Sequence, residues 1–174
     1  MIHDRVVSFY SGGVDHRGRT LAQILVWPDD ELEAVHDYIQ WVFPTVAPSP
    51  VNPAAPLVTG GTIAAFAASP ELRTALRRSL DRMLAFYGLR RDTKAAGDVR
   101  IEIDPERFSD RARTWLRPGN HNHLRLTRIM QSLSALGLVA EARALQRCLV
   151  RDVYEGPGRN LVTADTHEFW LHAV

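Results

Sequence analysis

Cysteine occurs once in these 174 residues, as Cys148. No internal disulfide can form, which fits a reducing, cytoplasmic setting. Lysine also occurs once, as Lys94. No apolar run approaches the ~20 residues that a membrane-spanning helix needs, and the opening MIHDRVVSFYSGG lacks the charged-then-apolar layout of a signal peptide. An excess of one charge is missing too. The 21 basic residues face 20 acidic ones, for a net charge of +1, so nothing in the balance asks for a nucleic acid partner. Zinc-protease, phosphate-loop, dinucleotide-binding, nucleophile-elbow and paired-carboxylate patterns are all absent. An enzyme would have to rely on a histidine base and an arginine holding an oxyanion. No cofactor is implied.

What is abundant is arginine and alanine. That bias looks like a GC-rich bacterial genome, and it weakens any case for one arginine having been selected for its chemistry. The length suits one domain over residues 1–174, burying about two thirds of its unfolded surface without a metal or disulfide.

The pattern predicts a mainly α fold, a compact bundle of six to eight helices with a proline-rich arm and at most a two-stranded element. RVVSFY (5–10) reads as a strand or the lead-in to a helix, SGGVDHRGR as a turn and TLAQILVW as a short helix. Leu32, Val35, Ile39 and Val42 share one face of a single helix capped by Asp29 or Asp30 and ended by Pro44, with His36 and Gln40 four apart beside that face. Five prolines make residues 44–60 an extended arm. Ser69, Pro70 and Glu71 start a strongly marked helix that Gly88 closes. RRDTKAAGD (90–98) reads as a loop, VRIEI (99–103) as a strand, and the segment from Leu138 to Tyr154 as a helix. A last short helix docks Phe169, Trp170 and Ala173 on the core. An exposed Tyr38–Trp41 pair would suit a protein partner, unless the arm folds back over it.

The densest stretch is NHNHLRLTRIMQSLSALGL (120–138). Asn120 is a good N-cap after Pro118-Gly119, and Leu126, Ile129, Met130, Leu133 and Leu136 form a buried face. Asn122 and His123 fall toward that face, while His121, Arg125, Arg128 and Ser132 gather on a flank. If both imidazoles are helical they point about 200° apart, which argues against a shared metal. The helix start, with His121 and Arg125, suits a carboxylate or phosphate. The plainer reading makes Asn122 and His123 buried hydrogen-bonders and pairs the arginines with acids.

Six stretches together resemble the conserved region of the opioid growth factor receptor family. They are FYSGG with D-x-x-GR (Phe9 to Arg19), LEAVHDYIQWVFP (Leu32 to Pro44), N-P-x-A-P-L (Asn52 to Leu57), RRSLDRMLAFYGL (Arg77 to Leu89), WLRPGNHNHLRLTRIMQSLSALGL (Trp115 to Leu138), and the closing Phe-Trp with Ala173. The resemblance implies a compact, largely helical domain, taken from receptors for an enkephalin-type opioid growth factor, a short peptide. It brings no catalytic residues with it. The expected partner is a peptide or small anionic ligand, bound at His36, Gln40, Asn120, His121, Asn122, His123, Arg125 and Arg128, with Arg19, Asn52 and Asp15 as further candidates. His36 and Gln40 should find their partners in the 120–123 segment.

Overall fold

A computed structural model describes residues 4–92 and 98–174. Among the described residues there are ten α-helices, one π-helical segment and a two-stranded antiparallel sheet. The mainly α expectation holds, with more and shorter helices than the sequence pattern suggested. The described residues form two compact units, 4–79 with 135–137, and 80–92 and 98–134 with 138–174.

In the first unit, RVVSFY is helical. Asp4 starts α1 (Arg5–Tyr10) by accepting from the Val6 and Val7 amides, both at 3.0 Å. Its other oxygen accepts from Thr62 Oγ1 at 2.6 Å, so one carboxylate caps a helix and ties it to another segment. Thr20 and Gln23 form a capping box for α2 (Leu21–Leu25). The single helix expected over 29–42 is two. α3 (Asp29–Ala34) begins after Pro28 without a side-chain cap, although Asp29, Asp30 and Glu31 supply negative charge to its first turn. It stops where Val35 turns extended, at φ −91 and ψ 129, and α4 (Ile39–Val42) follows. Phe9 and Trp41 meet edge-on at 5.5 Å, and Tyr10 and Phe66 at 5.2 Å. Tyr38 and Trp41 are both buried, so the aromatic pair is core and offers no free surface. The proline arm is pinned where the Val58 amide donates to the Thr45 carbonyl at 3.0 Å. A Thr59/Thr62 capping box then opens α5 (Gly60–Ala68).

α6 (Pro70–Tyr87) follows the sequence pattern closely. Ser69 Oγ accepts from the Leu72 amide at 3.2 Å, and Leu72, Leu76, Leu80, Met83, Leu84 and Tyr87 are buried. Gly88 has φ +73, and a Cβ there would meet Phe108 Cα at 2.6 Å, so no other residue fits.

The second unit adds β1 (Leu89–Asp92), paired antiparallel with β2 (Arg100–Ile103). Residues 90–92 are therefore strand where a loop was expected over 90–98, and 93–97 lie outside the described residues. α7 (Phe108–Trp115) and α8 (Asn122–Ala135) follow. The helix expected from 138 to 154 is α9 (Val139–Arg147) continued by a π-helical segment, Cys148–Tyr154. α10 (Ala164–Leu171) buries Trp170, and Ala173 beyond it is also buried, but Phe169 is 56% exposed. Trp170 faces the core from the last turn of α10, and Phe169, one residue earlier, projects to the side.

Candidate functional site

The polar residues of interest form two clusters, one in each unit. In the first, Asp15 organises its own turn by accepting from the Arg17 and Arg19 amides at 2.8 and 3.0 Å. The Arg19 guanidinium bridges Asp15 at 2.7 Å and Asp37 at 2.9 Å. Asp37 also meets His16 and Arg17, each at 3.3 Å. Burial pushes the Asp37 carboxyl up, but Arg19, with His16 and Arg17, outweighs it and holds the pKa below the ordinary carboxylate range. These tertiary pairs explain why residues 35–38 leave the helix. Side-chain charge on Asp37 is engaged by a turn far back in the chain, and local helix propensity yields.

Gln40 and Asn52 belong to the same unit. Asn52 Nδ2 donates to the Asp37 carbonyl at 3.3 Å and to Gln40 Oε1 at 3.4 Å. Gln40 thus has Asn52 as its partner, where the 120–123 segment was expected. His36 is exposed at the break between α3 and α4, so it and Gln40 do not share one helix. Arg19, with two carboxylates already on it, has its charge met from within the chain. Nearby, Trp41 Nε1 is buried without a hydrogen-bond partner among the described residues. Its ring is covered by His16, stacked at 5.8 Å, and by the Arg5 guanidinium at 4.7 Å.

In the second unit, Asn120 caps α8 as expected. Its Oδ1 accepts from the Asn122 amide at 2.9 Å, its carbonyl from the His123 amide at 3.1 Å, and its Nδ2 donates to the Thr114 carbonyl at 3.1 Å. Asn122 fits the plainer reading. Its Oδ1 accepts from Tyr87 Oη at 3.4 Å and Arg125 Nη1 at 3.3 Å, so Arg125 is buried against Asn122. Arg128 is half-buried, and burial lowers its pKa.

His123 behaves differently. It is only 3% exposed, yet neither ring nitrogen has a hydrogen-bond partner among the described residues. The ring stands edge-on to Trp115 at 6.2 Å and to Trp170 at 5.7 Å. Burial pushes its pKa down, hydrogen bonding towards the Trp115 backbone pulls the other way, and the His121 charge adds a smaller push down. His123 lines a pocket of about 180 Å³ with Asn120, His121 and Thr127. Thr166 and Phe169 of α10 close its other side, and Leu124, 65% exposed, shares the rim with Phe169.

His121 and His123 both belong to the lining of one pocket, although only one of them is helical. His121 sits in the turn before α8, and His123 lies within the helix. Among the described residues, no group of three or more His, Cys, Asp or Glu side chains is placed to hold a metal ion. Thr166 and Phe169 were missed by sequence reasoning. They come from a helix distant in the chain, and no short-range pattern points to them.

The model of the opioid growth factor receptor conserved region matches residues 9–174, nearly the whole chain. The chain belongs to that family. Among its relatives, the Opioid growth factor receptor of Rattus norvegicus is 38% identical over 174 residues, covering 97% of this chain and 29% of the rat protein. The Homo sapiens Opioid growth factor receptor is 40% identical over 115 residues, covering 64% of this chain and 16% of the human one. Opioid growth factor receptor-like protein 1 of Mus musculus is 36% identical over 116 residues, or 64% of this chain and 23% of that protein. This chain of the opioid growth factor receptor family thus spans less than a third of the length of these relatives. All three are animal proteins, so they lend no support to the bacterial origin that the arginine bias suggested. No solved structure matches, and no helix among the described residues is long and apolar enough to cross a membrane.

Proposed function

We propose that this domain binds a peptide and seats one of its side chains in the pocket between the start of α8 and α10. The observation that carries the reading is His123, a buried imidazole in the lining of that pocket, for which no hydrogen-bond partner of normal geometry stands among the described residues. A buried polar group left unsatisfied costs ~1–3 kcal/mol, and such a cost persists where a ligand meets the group. About 180 Å³ is smaller than the roughly 300–1,000 Å³ of pockets for drug-sized ligands. It suits one side chain, with Leu124 and Phe169 gripping the apolar part and Asn120, His121 and His123 at the polar end. The relatives' name, opioid growth factor receptor, supports a peptide as partner. A small anionic ligand is the second reading, favoured by two histidines in the lining of one pocket at the start of a helix.

The test is a titration of the chain with opioid growth factor, followed through the imidazole resonances by NMR. Saturable shifts at His123, weakened by Phe169→Ser at the exposed rim, are the expected result. Saturable binding that leaves His123 and the Phe169→Ser variant unaffected, or no binding at millimolar peptide, would defeat the reading.

A further inference from the structure

We infer that a groove in the first unit binds a small apolar carboxylate, with its charge held at Arg5. All of the groove lies within that unit and none of it in the His123 pocket. Its space, about 990 Å³, is bounded by α1, α5 and the proline arm. Asp4, Val7, Ser8 and Ser11 recur at i, i+3, i+4 and i+7 on the side of α1 away from the buried Val6, Phe9 and Tyr10. α5 turns Gly61 and Ala65 to the same space, while Thr62 and Phe66 go to the core. Ala55, Pro56 and Leu57 of the arm make the third wall, and Leu57 is 43% exposed. Hydrogen bonds tie the walls together. Asp4 Oδ2 accepts from Thr62 Oγ1 at 2.6 Å and Thr59 Oγ1 at 3.3 Å, joining α1 to α5. Arg5 Nη2 donates to the Ala54 carbonyl at 3.1 Å, joining α1 to the arm. The groove is therefore formed before any guest arrives.

Two charged residues belong to the lining, Asp4 and Arg5, and they differ in how they are met. Asp4 is answered on both oxygens, by the Val6 and Val7 amides on one and the two threonine hydroxyls on the other. Burial pushes its carboxyl up, but these donors outweigh it and hold the pKa below the ordinary carboxylate range. Arg5 has no carboxylate within ion-pair reach among the described residues. Its partners are uncharged, the Ala54 carbonyl and the Trp41 ring at 4.7 Å. Those two contacts fix the guanidinium and leave most of its N–H donors, and its whole charge, for a guest. A carboxylate matches that fork with two parallel hydrogen bonds. Val7, Pro56, Leu57 and Ala65 offer apolar surface to the rest of the ligand. A cationic guest would meet Arg5 and find the Asp4 oxygens already taken. The size fits a small molecule, at the upper end of the roughly 300–1,000 Å³ usual for such pockets.

The experiment titrates the chain with octanoate and with octanol at neutral pH, followed through the methyl resonances of Val7, Leu57 and Ala65. Octanoate should shift all three saturably. Arg5→Gln, at an exposed position, should weaken octanoate at least about tenfold, the size of a charge-assisted hydrogen bond, and leave octanol unchanged. Ala65→Phe should fill the groove and weaken both probes, with an unaltered far-UV circular dichroism spectrum showing that the fold stands. No saturable shift with octanoate overturns the inference. Octanoate bound equally well by Arg5→Gln overturns it too, since the charge would then play no part. Methyl shifts with opioid growth factor but not with octanoate would make the groove a peptide site instead. Self-association of the parent that Ala65→Phe abolishes, without octanoate binding, would give it to a second copy of the chain, and either result overturns the small-molecule assignment.

Discussion

The Asp37 cluster and the His123 pocket are built from similar residue types and end in opposite states. Around Asp37 the charges find answers within the chain. Arg19 lies between two carboxylates, His16 and Arg17 reach the same Asp37, and Gln40 accepts from Asn52. Around His123 the Asn120 cap is made, yet the imidazole has no hydrogen-bond partner of normal geometry among the described residues. The difference teaches that a polar cluster predicted from sequence divides by satisfaction. Groups that answer one another hold the fold, and the group that is buried, unanswered and beside a cavity is the candidate for a ligand.

Four outcomes would break or sharpen that contrast. The largest belongs to Arg19→Ala. The Asp15 side chain has no exposed surface and would lose its counter-charge, so urea denaturation should show a loss of about 3 kcal/mol. A loss below about 0.5 kcal/mol would mean that the Asp37 cluster is an ordinary surface ion pair. Asn120→Ala should cost about 1 kcal/mol in the same assay through the lost cap of α8, and should also weaken peptide binding by misplacing His121; a change in stability alone would separate the cap from the pocket.

The clusters should also lose stability in different pH windows. Asp37 has its pKa lowered in the fold, so its contribution is present above the unfolded value of 3.8 and fades as pH falls through the lower folded value. His123 is lowered from 6.5. The unfolded chain therefore binds a proton before the folded one does, and stability should already decline as pH drops below that value. Chemical denaturation at a series of pH values checks both, and His123→Phe should remove only the upper window.

Much of the scaffold was legible in the sequence because its signals are local. Ser69, Pro70 and Gly88 bound α6, and Asn120 caps α8, through contacts within a few residues. The break at residues 35–38 was not legible, because its cause, the Arg19–Asp37 pair, joins distant turns and overrides an unbroken apolar periodicity. β1, LRRD, buries only Leu89 deeply and owes its strand form to pairing with β2. In the candidate site, Asn120, His121 and His123 stood out on the page. Their common place in one pocket lining did not, since α8 starts one residue after His121. Thr166 and Phe169 reach the pocket from α10, and no short-range pattern joins them to His123.

The most direct measurement is the stability of His123→Phe, which keeps an aromatic ring against Trp115 and Trp170 while removing both nitrogens. If the imidazole is retained for a ligand, the variant should be as stable as the parent or up to about 1 kcal/mol more so, and should no longer respond to opioid growth factor. A loss of about 3 kcal/mol or more, of the size seen when a buried network is broken, would contradict this by making His123 a structural residue.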